Sequence, residues 1–479
     1  MSRKKQTKIV ATISDRRCDV EFLKTLYQKG MDVVRINTAH QQPEDTLKII
    51  RNVREVSDKI PVLIDTKGPE IRTIGLDKDM VVEQGERVSF CSSACSCEEN
   101  CIGVSYDKFA QEVPIGSEIL IDDGDIALKV IEKTENRLIA EVLNKGEIKN
   151  RKSINVPGVD LELPPLTEKD ISYLKFSAEY DVEFIAHSFV RHKEDVQAVQ
   201  TLLDQFGSKA KIIAKIENQT GVDHIDEILD AAYGIMVARG DLGIEIPSER
   251  IPGIQRSLIK KATHRKKPVI IATQMLHSMI NNPRPTRAEV SDVANAIYRE
   301  TDAIMLSGET AYGDYAVEAV ETMTKIALEV ESSKDVKDNI QLISHDNQIA
   351  IFLADSAVRA AQSLNAKAIV LDTLTGRTGR YVAAFRGSHP VYAMCYNKRV
   401  MRELALSYGV YAEHTQQRKS TEEFKKDTLE KLIEKDRFNK EELIVIIGGS
   451  FGPRNGASFL DVSTVENLMH TREMWKEKI

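Results

Sequence analysis

Short apolar runs recur along the first two thirds of the chain, and each is rich in β-branched residues and ends in polar ones. Stretches with helical periodicity separate them, so the pattern predicts alternating strands and helices. The eight runs occupy residues 8–13, 33–37, 62–67, 184–189, 211–217, 234–241, 268–274 and 303–309. Strands that are apolar throughout are typical of a parallel sheet covered on both faces. Eight such units predict an α/β fold with a (β/α)8 TIM barrel, whose active site lies at the carboxyl ends of the strands. A doubly wound open sheet is the structural alternative.

The regular spacing is interrupted between the third and fourth runs. From about residue 71 to 156 the sequence changes to short alternating strands with glycine turns. This texture predicts an all-β domain inserted in a βα loop, on the catalytic face where lids lie. After a charged linker that follows the eighth unit, a second and smaller α/β pattern begins. We therefore expect a barrel of residues 1–70 and 157–333, a β lid of residues 71–156 and a C-terminal α/β domain of residues 334–479.

Composition and charge narrow the functional classes. The 479 residues include 42% hydrophobic and 29% charged ones, a balance typical of globular proteins. The net charge of −7 argues against general binding to nucleic acids or anionic membranes, because both need a positive field. No apolar run approaches the roughly 20 residues of a bilayer-spanning helix, and the apolar stretch after the basic start is too short for a signal peptide. We therefore expect a cytoplasmic protein.

Lys215, Glu217 and Asp241 form the most informative group of polar residues. Lys215 and Glu217 are two apart at a predicted strand end, so their side chains point the same way, into the barrel mouth. Asp241 ends the next predicted strand, within reach of the same space. Two carboxylates beside an ammonium suit Mg²⁺ together with an anionic substrate. A structural ion pair and a Schiff-base lysine are the alternatives.

Further cations and oxygen ligands are predicted at the same end of the barrel. Arg35 and Asn37, again two apart, offer a bidentate anion donor and a neutral oxygen. Asp65 and Thr66 end the third predicted strand, and Arg72 lies at the start of the insertion. Each residue alone is typical of a solvated or capping position. Together they indicate phosphoryl transfer, which needs cations and hard oxygens around one point.

A loop in the C-terminal domain combines hydroxyls, an arginine and a predicted helix start. Its candidate effector-binding residues are Thr373, Thr375, Gly376, Arg377 and Thr378. Because a helix N-terminus favours phosphate, the loop is a candidate phosphate pocket that the glycine-rich turn 448–452 would complete. A tight turn without any ligand agrees equally well with the sequence.

Four of the six cysteines cluster along the chain. The four are Cys91, Cys95, Cys97 and Cys101. A small metal or redox site is one interpretation, but the spacing lacks the C-x2-C knuckle typical of zinc ligands and no histidine lies nearby. We favour reduced thiols in a loop.

Several sequence blocks, taken together, resemble the pyruvate kinase family, and the resemblance covers essentially the whole chain in order. The blocks are TKIVATI at 7–13, GMDVVRIN at 30–37, DTKGPEIR at 65–72, KIEN at 215–218, MVARGDLG at 236–243, ATQML at 272–276, residues 285–295, and MLSGET at 305–310. The resemblance implies a (β/α)8 barrel with an inserted β lid and a C-terminal regulatory domain. It also implies transfer of the phosphoryl group of phosphoenolpyruvate to ADP, the last step of glycolysis. Mg²⁺, which Mn²⁺ may replace, and usually K⁺ would be the cofactors, and the assembly would be a homotetramer.

The resemblance also implies roles for single residues at the phosphoryl group. Glu217 and Asp241 would hold Mg²⁺ against the substrate. Lys215 would neutralise the phosphoryl oxygens in the transition state, which is an electrostatic role. Arg35 would contact the same phosphate.

Further roles concern the rest of the substrate, the nucleotide and the monovalent cation. The backbone of Gly240, with Asp241 and Thr273, would hold the substrate carboxylate, and Thr273 would help to organise the water that protonates the enolate. The nucleotide would face Arg35, Asn37, His40, Arg72 and Lys152. The potassium ligands would be Asn37, Asp65 and Thr66.

The sequence departs from the family's pattern at several positions. Ala39 stands where the family has a serine that ligates K⁺, so one oxygen is lost, while Glu70 is the residue type of K⁺-dependent members. We therefore expect K⁺ to be used more weakly, with water or a carbonyl as a further ligand. Residues 456–459 replace a loop that binds sugar phosphates in relatives, so the sequence gives less support to activation by a sugar phosphate.

Two rival functions are a metal-dependent lyase or aldolase acting on pyruvate-like compounds, and a catalytically silent binding protein.

Overall fold

The computed structural model describes residues 4–39, 41–92, 101–333, 340, 342, 347–418, 420–449 and 457–470. Eight parallel strands close into a barrel, in which each strand pairs with its neighbours along the chain and the first pairs with the last. Barrel strands 1 to 8 are Lys8–Thr12, Val33–Asn37, Val62–Asp65, Phe184–His187, Lys211–Ile216, Gly234–Ala238, Val269–Ala272 and Ala303–Leu306. The predicted TIM barrel is confirmed, and the open sheet is wrong.

Helices follow each barrel strand, except that the inserted domain separates strand 3 from its helix. The α-helices of the barrel are Val20–Lys29, Pro43–Val56, Glu168–Glu179, Lys193–Gln205, Gln219–Asp223, Ile225–Ala231, Arg239–Glu245, Ile251–His264, Arg287–Tyr298, Gly308–Ala311 and Ala316–Ser333. Two 3₁₀ turns lie at Ser248–Arg250 and His277–Ile280. Within the described ranges, no helix is long and apolar enough to cross a membrane.

The barrel strands are buried on both faces because alternate residues serve two cores. In strand 1, Val10 packs inside the barrel, while Ile9 and Ala11 pack outward against the helices. Strand 5 follows the same alternation, with Ile213 inside. Lys215, two residues further along, therefore faces the interior at the carboxyl end of the strand.

The inserted domain is a second, smaller barrel. Its seven strands close on themselves, and a two-stranded sheet of Met80–Val82 and Gly146–Ile148 accompanies them. The seven strands are Ile71–Ile74, Arg87–Ser92, Cys101–Val104, Glu118–Ile121, Ile126–Lys133, Arg137–Val142 and Ser153–Asn155. A short helix, Phe109–Glu112, packs Phe109 against Phe90 in its core.

The C-terminal domain is a five-stranded sheet with helices. Four strands are parallel and the last is antiparallel, in the spatial order Val410–His414, Val391–Cys395, Ala368–Thr373, Leu443–Gly449 and Ala457–Thr464. Its helices are Gln348–Ser363, Arg377–Ala384, Lys398–Leu404, Thr421–Glu434 and Val465–His470. Leu406 reaches into the barrel core, and the Arg386 guanidinium forms a buried ion pair with Asp302. The domain is therefore packed against the amino-terminal end of the barrel.

Candidate active site

Three charged side chains meet at the carboxyl ends of barrel strands 3 and 5. The Lys215 ammonium lies 3.0 Å from Asp65 Oδ1 and 2.9 Å from Glu217 Oε1. It also donates to Ser188 Oγ at 2.8 Å. The side chains of Asp65 and Glu217 are each 1% exposed, and that of Lys215 is 10% exposed. The predicted convergence of Lys215 and Glu217 is thus present, with Asp65 as a second acid beside the ammonium.

Arg35 extends this cluster on barrel strand 2. Its Nε donates to Asp65 Oδ2 at 2.7 Å, and its Nη1 donates to Thr12 Oγ1 at 3.0 Å. Asp65 therefore holds Lys215 with one oxygen and Arg35 with the other. Burial opposes ionisation of Asp65, but Arg35 and Lys215 outweigh it and lower the pKa of the carboxyl. The two cations are consequently fixed side by side at the barrel mouth.

The pKa values of both Lys215 and Glu217 are raised, for different reasons. Burial lowers the pKa of the Lys215 ammonium, but Asp65, Glu217 and Asp241 reverse that effect and raise it overall, so the side chain is charged. Burial raises the pKa of Glu217 to about 7, Lys215 opposes this, and Asp241 adds to it. The negative potential at Glu217 is thus only partly neutralised by Lys215.

The Glu217 carboxylate is oriented by the backbone as well as by Lys215. The Phe189 N–H donates to Glu217 Oε2 at 2.6 Å, while Oε1 faces the ammonium. Carboxylate oxygens are the ligands that Mg²⁺ prefers, and one or two of them, completed by water and phosphate oxygens, make a typical Mg²⁺ site. The incompletely neutralised pair of Glu217 and Asp241 therefore fits a hard divalent cation.

Thr273 is held in an unusual backbone conformation beside Gly240. Its φ is 65°, in the left-handed region that β-branched residues rarely adopt. Thr273 Oγ1 accepts from the Gly240 N–H at 2.8 Å and donates to the Ala272 carbonyl at 2.7 Å. Arg239 Nη2 donates to the Thr273 carbonyl at 2.7 Å. Strained residues of this kind persist where the surroundings hold them firmly, as at many binding sites.

Two cavities open beside these residues. One, of about 770 Å³, is lined by Arg35, Asn37 and Thr273 among others. The second, of about 130 Å³, is lined by Asp241 and Asn218 and by residues of the lid such as Ser153. The space for ligands thus lies over the predicted site and partly beneath the lid.

Of the residues expected to face the nucleotide, two lie on the lid. Arg72 Nε donates to Glu70 Oε2 at 2.9 Å, and Lys152 Nζ donates to Asp122 Oδ1 at 2.9 Å. In the structure these two cations pair with Asp122 of the lid and with Glu70, just before the lid, rather than with the Lys215 cluster. His40 lies outside the described residues.

The three expected K⁺ ligands all engage other groups. The Asn37 side-chain oxygen accepts from the Ala39 N–H at 3.1 Å. Thr66 Oγ1 accepts from the Ser188 N–H at 3.1 Å, and both oxygens of Asp65 face cations. A monovalent cation here would have to share these oxygens.

Two family models match the chain. Residues 4–320 match the model described as "Pyruvate kinase, barrel domain", and residues 352–463 match "Pyruvate kinase, alpha/beta domain". The chain belongs to the pyruvate kinase family. The family and its named relatives establish the enzyme activity as that of a pyruvate kinase, and neither the lyase nor the silent binding protein finds support.

Named pyruvate kinases resemble the chain over nearly its full length. The enzyme of Borreliella burgdorferi is 48% identical over 476 residues, which cover 98% of this chain and 99% of the relative. That of Bacillus licheniformis is 42% identical and covers 97% of this chain and 81% of the relative. A crystal structure of a pyruvate kinase from Cryptosporidium parvum aligns with a TM-score of 0.90 at 34% identity, covering 96% of each chain.

The sequence interpretation missed three supporting residues of this pyruvate kinase site. Ser188 accepts from Lys215, Arg239 holds the Thr273 carbonyl, and Asp292 pairs with Arg239 Nη1 at 2.7 Å. Ser188 and Arg239 stand at strand ends, a position that marks candidates. Asp292 lies within the helix Arg287–Tyr298, where no local sequence signal separates it from a solvated residue.

The candidate effector loop has the predicted place between a strand and a helix. Thr373 Oγ1 accepts from the Gly376 N–H at 3.0 Å, and Gly376 adopts a φ of 77° before the helix Arg377–Ala384. Gly449, the last residue of the strand Leu443–Gly449, donates its N–H to Asp372 Oδ1 at 3.0 Å, whereas residues 450–452 lie outside the described residues. Effector binding by Thr373, Thr375, Gly376, Arg377 and Thr378 stays a prediction.

The interpretation of the cysteine cluster as thiols in a loop is wrong for two of its members. Cys91 and Cys101 lie in neighbouring parallel strands of the lid, both buried, with their sulfurs 3.0 Å apart. Strand pairing over a ten-residue separation joins them, which the spacing alone did not indicate. Cys95 and Cys97 lie outside the described residues.

Proposed function

We propose that the chain transfers the phosphoryl group of phosphoenolpyruvate to ADP, with Mg²⁺ and K⁺, at the cluster of Lys215, Glu217 and Asp241. The observation that carries this proposal is the buried ammonium of Lys215, which lies 2.9 Å from Glu217 and 3.0 Å from Asp65 at the barrel mouth. Phosphoryl transfer asks a protein mainly to position its substrates and to neutralise developing charge. This cluster offers both.

Glu217 and Asp241 would hold Mg²⁺, or Mn²⁺ in its place. When bound, the cation supplies positive charge to the phosphoryl oxygens of the substrate. Glu217 suits this role because Phe189 and Lys215 fix its two oxygens in place before any ligand arrives. Asp241 stands in the first turn of the helix Arg239–Glu245 and acts electrostatically on both other residues.

Lys215 and Arg35 would act on the transferring phosphoryl group itself. Asp65 presents both cations to one space, because each of its oxygens holds one of them. As the bond to the leaving enolate breaks, negative charge spreads over the equatorial oxygens. A preorganised ammonium and guanidinium stabilise that charge without reorganising.

Thr273 and Gly240 would receive the carboxylate end of the substrate. The Gly240 N–H and the Thr273 hydroxyl already lie 2.8 Å apart at the strand ends, with Asp241 next in the chain. Thr273 would also help to order the water that protonates the enolate. Because the protonated enolate becomes a ketone, transfer towards ADP is favourable, and the protein needs to supply little beyond orientation.

The nucleotide would enter from the lid side and meet Arg35 and Asn37 at the barrel, and the family resemblance adds His40 to this set. Arg72 lies on a lid strand and Lys152 immediately precedes the adjacent strand, in which Ser153 pairs with Arg72. When ADP binds, Arg72 would leave Glu70 and Lys152 would leave Asp122, and both would contact the ADP phosphates instead. The lid would thus bring two further cations to the site.

K⁺ would bind weakly near Asn37, Asp65 and Thr66. The loss of a hydroxyl at Ala39 and the existing bonds of all three oxygens support a lowered affinity. A homotetrameric assembly and a cytoplasmic location also stay proposals, which light scattering and cell fractionation would test.

A direct assay tests the proposed reaction. Purified protein with phosphoenolpyruvate, ADP, Mg²⁺ and K⁺ should form pyruvate and ATP in equal amounts, and omission of ADP should stop pyruvate formation. An aldolase or lyase would form pyruvate from other pyruvate-like compounds without ADP. A silent binding protein would bind phosphoenolpyruvate without turnover, and either of these results would contradict the proposal.

A further inference from the structure

Two histidines and a glutamate meet on the barrel surface, away from the Lys215 cluster. His192 stands just before the helix Lys193–Gln205, which follows barrel strand 4. His224 and Glu227 belong to the turn and helix that follow barrel strand 5. One ligand atom from each of the three lies within 4.8 Å of the others. The segments that follow two neighbouring strands thus bring together His192 and His224, which are 32 positions apart in the sequence.

The geometry of these atoms is close to a tetrahedral metal site. His224 Nδ1 lies 3.3 Å from Glu227 Oε1, and His192 Nδ1 lies 4.0 Å from the same oxygen. Ligands on a tetrahedral zinc ion at bond lengths of about 2.0–2.1 Å are about 3.3 Å apart. The distance from His224 to Glu227 has that length already, and a shift of the His192 ring by less than 1 Å would bring its Nδ1 to the same distance from Glu227 Oε1. The ligand atoms of the two histidines lie within 4.8 Å of each other.

The surroundings orient two of the three ligands, His192 and Glu227. His192 Nε2 lies 3.3 Å from Asp160 Oδ2 and its Nδ1 lies 4.0 Å from Glu227 Oε1, so the tautomer with its proton on Nε2 would offer the Nδ1 lone pair to an ion beside Glu227. Glu227 divides its oxygens in the same way, because Oε2 faces Lys193 Nζ at 4.0 Å while Oε1 faces both rings. A carboxylate behind a ligating histidine is the usual second layer of a zinc site.

We propose that His192, His224 and Glu227 form a binding site for a transition-metal dication of the Zn²⁺ class, with water as the fourth ligand. The imidazole ligands exclude Mg²⁺, which prefers oxygen, and favour Zn²⁺, Ni²⁺ or Cu²⁺. All three side chains are between 32% and 46% exposed, so the ion reaches them from solvent without unfolding. The site is therefore separate in chemistry from the proposed Mg²⁺ site of Glu217 and Asp241.

The ion would fasten the segment that leads from the lid back to the barrel. Asp160 belongs to that segment, and the neighbouring Arg191 donates to the carbonyls of Leu161 and Leu163 at 2.7 and 2.9 Å. Asp160 and Arg191 also line the cavity that contains Asp241. A cation bound to His192 would strengthen the contact between His192 Nε2 and Asp160 Oδ2, and it would thereby fix the segment between the lid and the barrel.

The test is competition between the full-length protein and a chromophoric zinc indicator, in millimolar Mg²⁺ to occupy the oxygen site. We expect one bound Zn²⁺ per chain, lost in His192→Ala and in His224→Ala. Asp160→Asn should weaken binding about 10- to 100-fold, as second-layer changes do. His414→Ala, in the C-terminal domain, is the matched control and should bind like the unaltered chain.

Circular dichroism and melting of each variant show that it is folded, so a lost ion reflects the lost ligand. Absence of a bound Zn²⁺ under these conditions would overturn the proposal, as would undiminished binding in His192→Ala or His224→Ala. Unaltered affinity in Asp160→Asn would contradict the orienting role of that carboxylate.

Discussion

Lys215 and Glu217 lie side by side, with ammonium and carboxylate 2.9 Å apart, and both side chains are almost wholly buried. Removing charged groups from water is costly unless they pair. Here three acids, Glu217, Asp65 and Asp241, act on the same ammonium, and Arg35 is the second cation of the cluster. The site thus has an unneutralised negative charge next to a fixed positive one, which suits a dication and a phosphate together.

Replacement of Asp65 tests whether this acid holds the two cations. Asp65→Asn should lower turnover by about 100-fold, because Arg35 and Lys215 lose their common anchor. It should also lower the free energy of unfolding by about 3 kcal/mol, since a buried charge is left without its partner. Turnover and urea unfolding measure the two effects.

Asp58→Asn is the control for that change. Asp58 pairs with Lys398, both side chains being 55% exposed. Exposed pairs of this kind contribute about 0–1 kcal/mol, so stability and turnover should hardly change. Equal effects of the two replacements would contradict an anchoring role for Asp65.

The raised pKa of Glu217 predicts that Mg²⁺ binding depends on pH. The ion binds the carboxylate, so protons compete with it once the pH falls below about 7. The dissociation constant for Mg²⁺ should rise about tenfold for each pH unit below that value. Calorimetric titration with Mg²⁺ between pH 8 and 5.5 measures it. Glu217→Gln should bind weakly at every pH, and a flat profile in the unaltered protein would refute the assignment.

Arg239 is predicted to position Thr273 without touching the substrate. Arg239→Lys keeps a positive charge near Asp292 but loses the guanidinium, whose second nitrogen donates to the Thr273 carbonyl. We expect kcat/KM for phosphoenolpyruvate to fall by about 10- to 100-fold, with the KM for ADP unchanged. Arg299→Lys, on the exposed surface, should behave like the unaltered enzyme. A loss that falls equally on both substrates would indicate general disruption instead.

The missing hydroxyl at position 39 predicts weak activation by K⁺. Titration with KCl at constant ionic strength should raise activity with a high half-saturating concentration. Ala39→Ser should lower that concentration because it restores an oxygen beside Asn37. Activity that is indifferent to K⁺ in both forms would show that no such site operates.

Local patterns in the sequence predict the barrel and the shared direction of Lys215 and Glu217 in the site. The two-residue spacing of Lys215 and Glu217 at a strand end was enough to predict their shared direction. Their relation to Asp65 was not, because it depends on strand 3 lying near strand 5 in the closed barrel, with strand 4 between them. Asp65 was expected as a K⁺ ligand, and its bonds to two cations appear only in three dimensions.

Long-range pairing explains the other gaps. The strand Val410–His414 has a short and partly polar sequence, and its place in the sheet depends on pairing with Val391–Cys395. The closure of the lid into a barrel and the meeting of Cys91 with Cys101 likewise depend on contacts that no sequence window contains.

The most direct test of the account is the turnover of Lys215→Met. The replacement keeps an unbranched side chain only one atom shorter and removes the charge, so kcat should fall about 1,000-fold, while the protein stays folded and still binds phosphoenolpyruvate with Mg²⁺. Lys211→Met, at the opposite end of the same strand, is the matched control and should retain its activity. A Lys215→Met enzyme with the turnover of Lys211→Met would contradict the central claim.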